Sequence, residues 1–133
     1  MTPLAGTRVL VVEDEGAIAL LIEEMLEEFG CEVVASVARL AAACEIAGSV
    51  QVDLAILDVN LAGERVFPVA DILRNRQIPF LFSTGYGASG LPVEYAGRPV
   101  LHKPFSESEL QQKIAVTLKE ARASGQASST DAN

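Results

Sequence analysis

The stretch Asp53-Leu54-Ala55-Ile56-Leu57-Asp58 constrains this chain more than any other. A short apolar run with turn residues after it reads as a strand buried on both faces, the pattern of a central strand in a parallel sheet. Asp58 then stands at the carboxyl end of that strand, the edge of an open α/β sheet where ligands and chemistry gather. There it is either a strand-terminating surface residue or a reactive group, and the rest of the sequence has to choose.

The same signature recurs. Arg8-Val9-Leu10-Val11-Val12 runs into Glu13-Asp14-Glu15, and Phe80-Leu81-Phe82 lies inside a strand over 79–83. Cys31-Glu32-Val33-Val34-Ala35 and Val100-Leu101-His102 read as shorter strands. Helical spacing separates them. Ile18, Leu21, Ile22, Met25, Leu26 and Phe29 form one apolar stripe, with Glu23, Glu24, Glu27 and Glu28 on the wet side and Gly30 placed to close the helix. Ser36 stands as the N-cap of an alanine-rich helix running to about Ala47, with Gly48 beyond it. A third helix from near Arg65 to Arg76 carries Val66, Val69, Ala70, Ile72 and Leu73, with Pro68 tolerable only in its first turn.

Between Thr84 and Pro99 the glycines and prolines leave a loop with at most a turn or so of helix. Ser106-Glu107-Ser108-Glu109 is a capping box, followed by Leu110, Ile114 and Leu118 on a last helix. Residues 1–7 read as a frayed leader, 8–123 as the domain, and the polar residues 124–133 as a disordered tail. Strand and helix thus alternate five times, one helix being weak. The expected fold is a doubly wound five-stranded parallel α/β domain with a short or disordered fourth helix.

Composition removes several function classes. With 18 acidic against 10 basic residues, a net charge of −8 and no basic stripe, direct nucleic-acid binding is not expected. No apolar run approaches the roughly 20 residues of a membrane span, and no signal-peptide pattern opens the chain, so a cytoplasmic protein without membrane contact is expected. Cys31 and Cys44 are isolated and read as free thiols of a reducing compartment.

The strand ends carry a chemically coherent set: Glu13 and Asp14 after the first strand, Asp58 after the third, Thr84 after the fourth, Lys103 after the fifth. Each alone has a bland reading as an acidic turn, a helix cap, a turn residue or a surface charge. Together they would place three carboxylates, a hydroxyl and an ammonium at one sheet edge. Clustered carboxylates either take up protons or bind a cation, and all-oxygen ligation suits Mg²⁺, with Mn²⁺ as a substitute, better than zinc. Asp58 is then the candidate nucleophile toward a phosphoryl group, whose oxygens the ion and Lys103 would hold.

Val-Val-Glu13-Asp14, Asp58-Val-Asn60, Pro79-Phe-Leu-Phe-Ser-Thr84-Gly-Tyr86 and Lys103-Pro104-Phe105 resemble the receiver domain of response regulators, similar in pattern to the chemotaxis receiver. The resemblance covers about residues 8–119 and implies a flavodoxin-like receiver fold. It further implies that Glu13, Asp14, Asp58 and the Asn60 carbonyl hold Mg²⁺, and that Asp58 accepts a phosphoryl group from a histidine kinase. Thr84 would bond to that group, Lys103 would pair with it, and the Lys103-Pro104 bond would be cis. The chain departs from the commonest pattern in three ways. Val100 stands where most members carry an aromatic that swings inward when the threonine moves, Gly63 arrives early after Asp58, and the segment before Lys103 is rich in glycine.

With Phe82-Ser83-Thr84-Gly85-Tyr86, these departures resemble single-domain regulators marked by a Phe-Ala-Thr-Gly-Tyr-like stretch, which tend to pair with HWE-type kinases. Switching is then expected to run through order and disorder of 85–97, with Thr84, Gly85, Tyr86 and Val100 as the switch region. Tyr86 either replaces the missing aromatic, shields the acyl phosphate, or is an ordinary loop tyrosine. His102 reads as a solvent-facing strand residue. The expected protein is not an enzyme on other substrates but a stand-alone regulator without an output domain, a monomer or weak phosphorylation-dependent dimer. It would signal to a downstream protein, relay to a histidine phosphotransfer partner, or drain a shared kinase. Two alternatives stay open: a receiver-like module that is never phosphorylated, and a metal-dependent phosphohydrolase. The second is weakened by Asn60, which stands where such enzymes keep an acid/base aspartate. No G-x-G-x-x-G or P-loop follows any strand to support a nucleotide or flavin site.

Overall fold

The computed structural model describes residues 4–85 and 91–132, with side chains described as far as residue 123. In chain order the elements are β1 (Arg8–Val12), α1 (Gly16–Glu28), β2 (Glu32–Val37), α2 (Leu40–Ser49), β3 (Leu54–Asp58), β4 (Asn60–Leu61), β5 (Glu64–Arg65), α3 (Phe67–Asn75), β6 (Phe80–Thr84), β7 (Val100–His102) and α4 (Glu107–Ala132). A single 3-10 turn, Val93–Tyr95, lies between β6 and β7 among the described residues. The five long strands form one sheet in the order β2-β1-β3-β6-β7, and every pair in it is parallel.

Because strand side chains alternate between faces, each unbroken apolar run supplies both halves of the core. Leu10, Val12, Ala55, Leu57, Phe80, Phe82 and Val100 meet Ala43 and Ala47 of α2 and Val69, Ala70 and Leu73 of α3. On the other face Val9, Val11, Leu54, Ile56, Leu81 and Leu101 meet Ile22 and Leu26 of α1 and Leu110 and Ile114 of α4. Burying side chains of this size contributes about 1.5–3 kcal/mol each, which is why the charges of the three central strands stand at their ends, with Arg8 exposed at the start of β1 and Asp58 at the end of β3.

Several expected local features are present. Gly30 follows α1 at φ +84°, the left-handed stop that a helix end favours. Pro68 lies in the first turn of α3. The capping box is made: Glu109 N–H donates to Ser106 Oγ at 3.1 Å, and Ser106 N–H donates to Glu109 Oε1 at 2.9 Å. Both cysteines are free, and burial pushes their thiols up.

Others are corrected. Ser36 is not an N-cap; it lies within β2, opposite Val11, because the parallel ladder with β1 continues to Val37. Arg39 flanks α2 instead, without a side-chain cap, and Gly48 is inside that helix. Leu21 is 45% exposed, since Ala19, Ile22 and Leu26 turn the buried face of α1 away from it. Residues 4–7 are not a frayed leader: Leu4 is buried with Phe29 and Cys31, and Gly6 N–H donates to Gly30 O at 2.8 Å. α4 runs on as helix through the segment expected to be disordered from Ser124, with no proline there to interrupt its backbone ladder.

Candidate functional site

Strand pairing brings the first three acids together. Val12 lies opposite Leu57, so the next residues along, Glu13 and Asp58, stand side by side at the carboxyl edge. Glu13 N–H donates to Val37 O at 3.0 Å, which continues the β1–β2 ladder and fixes that residue at the edge. Carboxylate oxygens of Glu13, Asp14 and Asp58 all lie within 4.8 Å of one another. Glu13 and Asp58 are buried and Asp14 is half-buried.

Lys103 arrives from the far side. Its N–H donates to Thr84 O at 2.9 Å, and its Nζ lies 2.8 Å from Glu13 Oε1 and 3.3 Å from Asp58 Oδ2. With β6 between β3 and β7, the lysine stem has to cross β6 to reach Asp58. The Lys103-Pro104 peptide is cis.

Three carboxylates against one ammonium leave the cluster short of positive charge. Burial first, then hydrogen bonding with Glu13 and the charge of Glu13, push Asp58 up to about 7; Lys103 pulls it down and Asp14 adds to the rise. Burial pulls Lys103 down, but the hydrogen bond with Glu13 and the charges of Asp58 and Glu13 outweigh it, and its net shift is upward. Glu13 Oε1 is fully buried, with the Lys103 ammonium at 2.8 Å. Three carboxylates that one ammonium only partly neutralises, one of them an acid that resists ionising, fit a divalent cation with a preference for hard oxygen ligands.

A second device braces the acids. β4 and β5 pair as an antiparallel hairpin, Asn60 opposite Arg65 and Leu61 opposite Glu64. Both turn residues have positive φ, Ala62 at +52° and Gly63 at +92°, the signature of a two-residue primed turn. Ala62 N–H donates to Asp14 Oδ2 at 3.0 Å, and Asn60 N–H donates to Asp58 Oδ1 at 3.2 Å. Asn60 Oδ1 accepts Gly63 N–H at 2.9 Å, so the exposed Asn60 side chain is engaged within its own hairpin. Two-residue strands carry no periodicity, and the hairpin is not legible in the sequence.

The residues expected to form the switch region are placed unevenly. Thr84 is buried at the end of β6, opposite His102, which faces solvent. Gly85 follows it, exposed. Val100 is buried opposite Phe82. Tyr86 lies outside the described residues. An aromatic unremarked in the sequence takes part in the core instead. Tyr95 is wholly buried, stacked on Phe67 at 6.1 Å and edge-on to Phe80 and Phe82. Its hydroxyl donates to Asp71, and Arg74 and Arg98 lie over its ring at 5.2 and 5.9 Å.

A doubly wound parallel sheet with an acidic cluster and a lysine at its carboxyl edge defines a flavodoxin-like domain of the receiver type. The chain belongs to the response regulator receiver domain family, whose model matches residues 9–115. It is 30% identical over 132 residues to the transcriptional regulatory protein YvrH of Bacillus subtilis, across 95% of this chain and 55% of that protein. The chain therefore spans about half the length of the curated relatives that it matches. The solution structure of SdrG from Sphingomonas melonis Fr1 is 39% identical with a TM-score of 0.77, covering 85% of this chain and 97% of SdrG. PhyR from Brucella abortus superposes with a TM-score of 0.80 at 29% identity, over 93% of this chain and 52% of PhyR. As a receiver domain the chain is a component of two-component signalling, and its acidic cluster fits a phosphorylation site. Among the described residues no helix is long and apolar enough to cross a membrane.

Proposed function

We propose that this protein is a cytoplasmic response regulator that accepts a phosphoryl group on Asp58 from a histidine kinase of the HWE type. The observation that carries the reading is the burial of Asp58 among Glu13 and Asp14, all within 4.8 Å, with Lys103 Nζ at 3.3 Å. In the transfer, an Asp58 carboxylate oxygen attacks the phosphorus of a phosphohistidine. The O–P bond forms as the P–N bond breaks, and the bonding electron pair returns to the imidazole, which takes up a proton. Glu13, Asp14, Asp58 and the Asn60 carbonyl would hold Mg²⁺, with Mn²⁺ as a substitute. When bound, the ion supplies charge neutralisation that lets a carboxylate approach a phosphoryl group. Lys103 is within reach of the same oxygens, and Thr84, at the adjoining strand end, supplies a hydroxyl.

Signalling then proceeds by protein–protein contact, by onward transfer to a histidine protein, or by hydrolysis that drains the kinase. A monomer, or a dimer formed weakly on phosphorylation, suffices for each. The engagement of Asn60 Oδ1 by Gly63 argues further against an acid/base role there and so against a phosphohydrolase. Incubation with acetyl phosphate and Mg²⁺ should add the mass of one phosphoryl group, and Asp58→Asn should abolish the addition. No added mass on the intact protein would leave a non-phosphorylated interaction module. Sustained turnover of small phosphate esters would favour the enzyme.

A further inference from the structure

Ser83 is 1% exposed, and its Oγ has no hydrogen-bond partner among the described residues. A buried hydroxyl left unpaired costs stability that an alanine of nearly the same shape would not. Its place explains what the hydroxyl is for. Ser83 lies opposite Asp58 on one side and Leu101 on the other. Residues in register on neighbouring parallel strands share a face, and so does the residue two further along. Asp58, Ser83, Leu101 and Lys103 are therefore on one side of the sheet, and the Lys103 stem that crosses β6 passes over Ser83.

An ammonium has three hydrogens to place. Glu13 and Asp58 now attract them, at 2.8 and 3.3 Å. Both carboxylates are also ligand candidates for a cation, and a phosphorylated Asp58 has spent one oxygen on phosphorus. Lys103 then exchanges its carboxylate acceptors for phosphoryl oxygens, and it has to stay aimed at them. Ser83 Oγ, with two lone pairs and a proton of its own, is an unpartnered neutral oxygen buried on that face among the described residues.

We propose that Ser83 is a positioning residue for Lys103: its Oγ takes over a hydrogen bond from the ammonium when a cation claims Glu13, and so keeps Lys103 against the phosphoryl group. This rests on the reading of Asp58 as the phosphoryl acceptor. The competing role is steric, a small residue required where α4 covers β6, and alanine fills that role equally well.

The test compares wild type with Ser83→Ala by thermal unfolding, by magnesium titration, and by titration with beryllofluoride, a phosphoryl mimic, at saturating magnesium. The variant should be as stable as wild type or more so without ligand, and its magnesium affinity should stay within about twofold. Beryllofluoride affinity should fall about tenfold, the worth of one hydrogen bond to a charged group, with a matching shortening of the acyl-phosphate lifetime. Equal beryllofluoride affinity in the two proteins overturns the proposal in favour of the steric role. Equal losses for magnesium and beryllofluoride overturn it in favour of general damage. If wild type itself binds no beryllofluoride, it is the reading of Asp58 that fails.

Discussion

The carboxyl of Asp58 has to ionise in a buried place beside two other acids, and the cost has a sign that can be measured. Its folded-state value of about 7 lies above the ordinary 3.8. The folded protein thus holds this proton more tightly than the unfolded chain does, and protonation favours folding. The contribution is present in full below 3.8, is lost progressively as pH rises through about 7, and stays lost above that. Asp58→Asn cannot ionise, so without metal it should show a flatter stability profile across that window and exceed wild type at its upper end. Urea denaturation at stepped pH in the presence of a chelator decides this; parallel profiles would mean that Asp58 is already ionised. A cation competes with the same proton, so magnesium affinity should climb with pH and level off above about 7. Glu13, Asp14, Asp58 and Lys103 were legible because each follows a strand signature, and strand ends converge. Ser83 was not, because which face it shares with Asp58 depends on a register that no single strand reveals.

Between residue and molecule, two short elements do what the sequence pattern could not announce. The β4–β5 hairpin ties Asp14 and Asp58 to one turn, and that turn depends on Gly63 at φ +92°. Nothing lies within 4 Å of a Cβ placed there, so strain rather than collision sets the effect. Gly63→Val, a β-branched residue forced to positive φ, should loosen the hairpin and weaken magnesium binding about tenfold, while Gly63→Asn, which tolerates that region, should cost much less. Isothermal titration of the two variants checks the order, and equal affinities would show that the hairpin is irrelevant to the acids. The second element is the 3-10 turn. Its stretch is rich in glycine and proline and reads as featureless, because one buried aromatic has no period. Tyr95 nonetheless joins the turn to α3 and β6. Tyr95→Ala should destabilise by about 3–5 kcal/mol, as large aromatic truncations do, and Tyr95→Phe by only about 1 kcal/mol, because Asp71 can turn to water. An order–disorder exchange of 85–97 has to hinge at this ring or pull it from the core, and a Tyr95→Ala protein no more easily unfolded than wild type would remove that constraint. The strands themselves were read from continuous apolar runs and held to within a few residues; Ser36 was misplaced because a neighbouring strand can extend a ladder past a good capping residue.

At the scale of the whole molecule, the acids sit where β1 and β3 end, and Lys103 reaches them from beyond β6, so whatever binds there engages four of the five strands. The central residues of β1, β3 and β6 are wholly buried, and amides so placed exchange with solvent chiefly through global unfolding. A ligand that binds only the folded state stabilises it by mass action, about 2.7 kcal/mol at one hundred times its dissociation constant. Magnesium at that ratio should therefore slow exchange in all three strands by one common factor of about 100. Glu64 and Arg65 of β5 are exposed, so their amides need no global unfolding to exchange and should change little. Manganese should reproduce the pattern and a chelator should reverse it, since a net charge of −8 attracts any cation diffusely but only a ligated one stabilises every strand equally. Protection confined to the residues flanking Asp58 would mean that the ion quiets a loop without bearing on the fold. In that case a signal written at Asp58 would have to leave through the local contacts of the hairpin and the 3-10 turn rather than through the sheet.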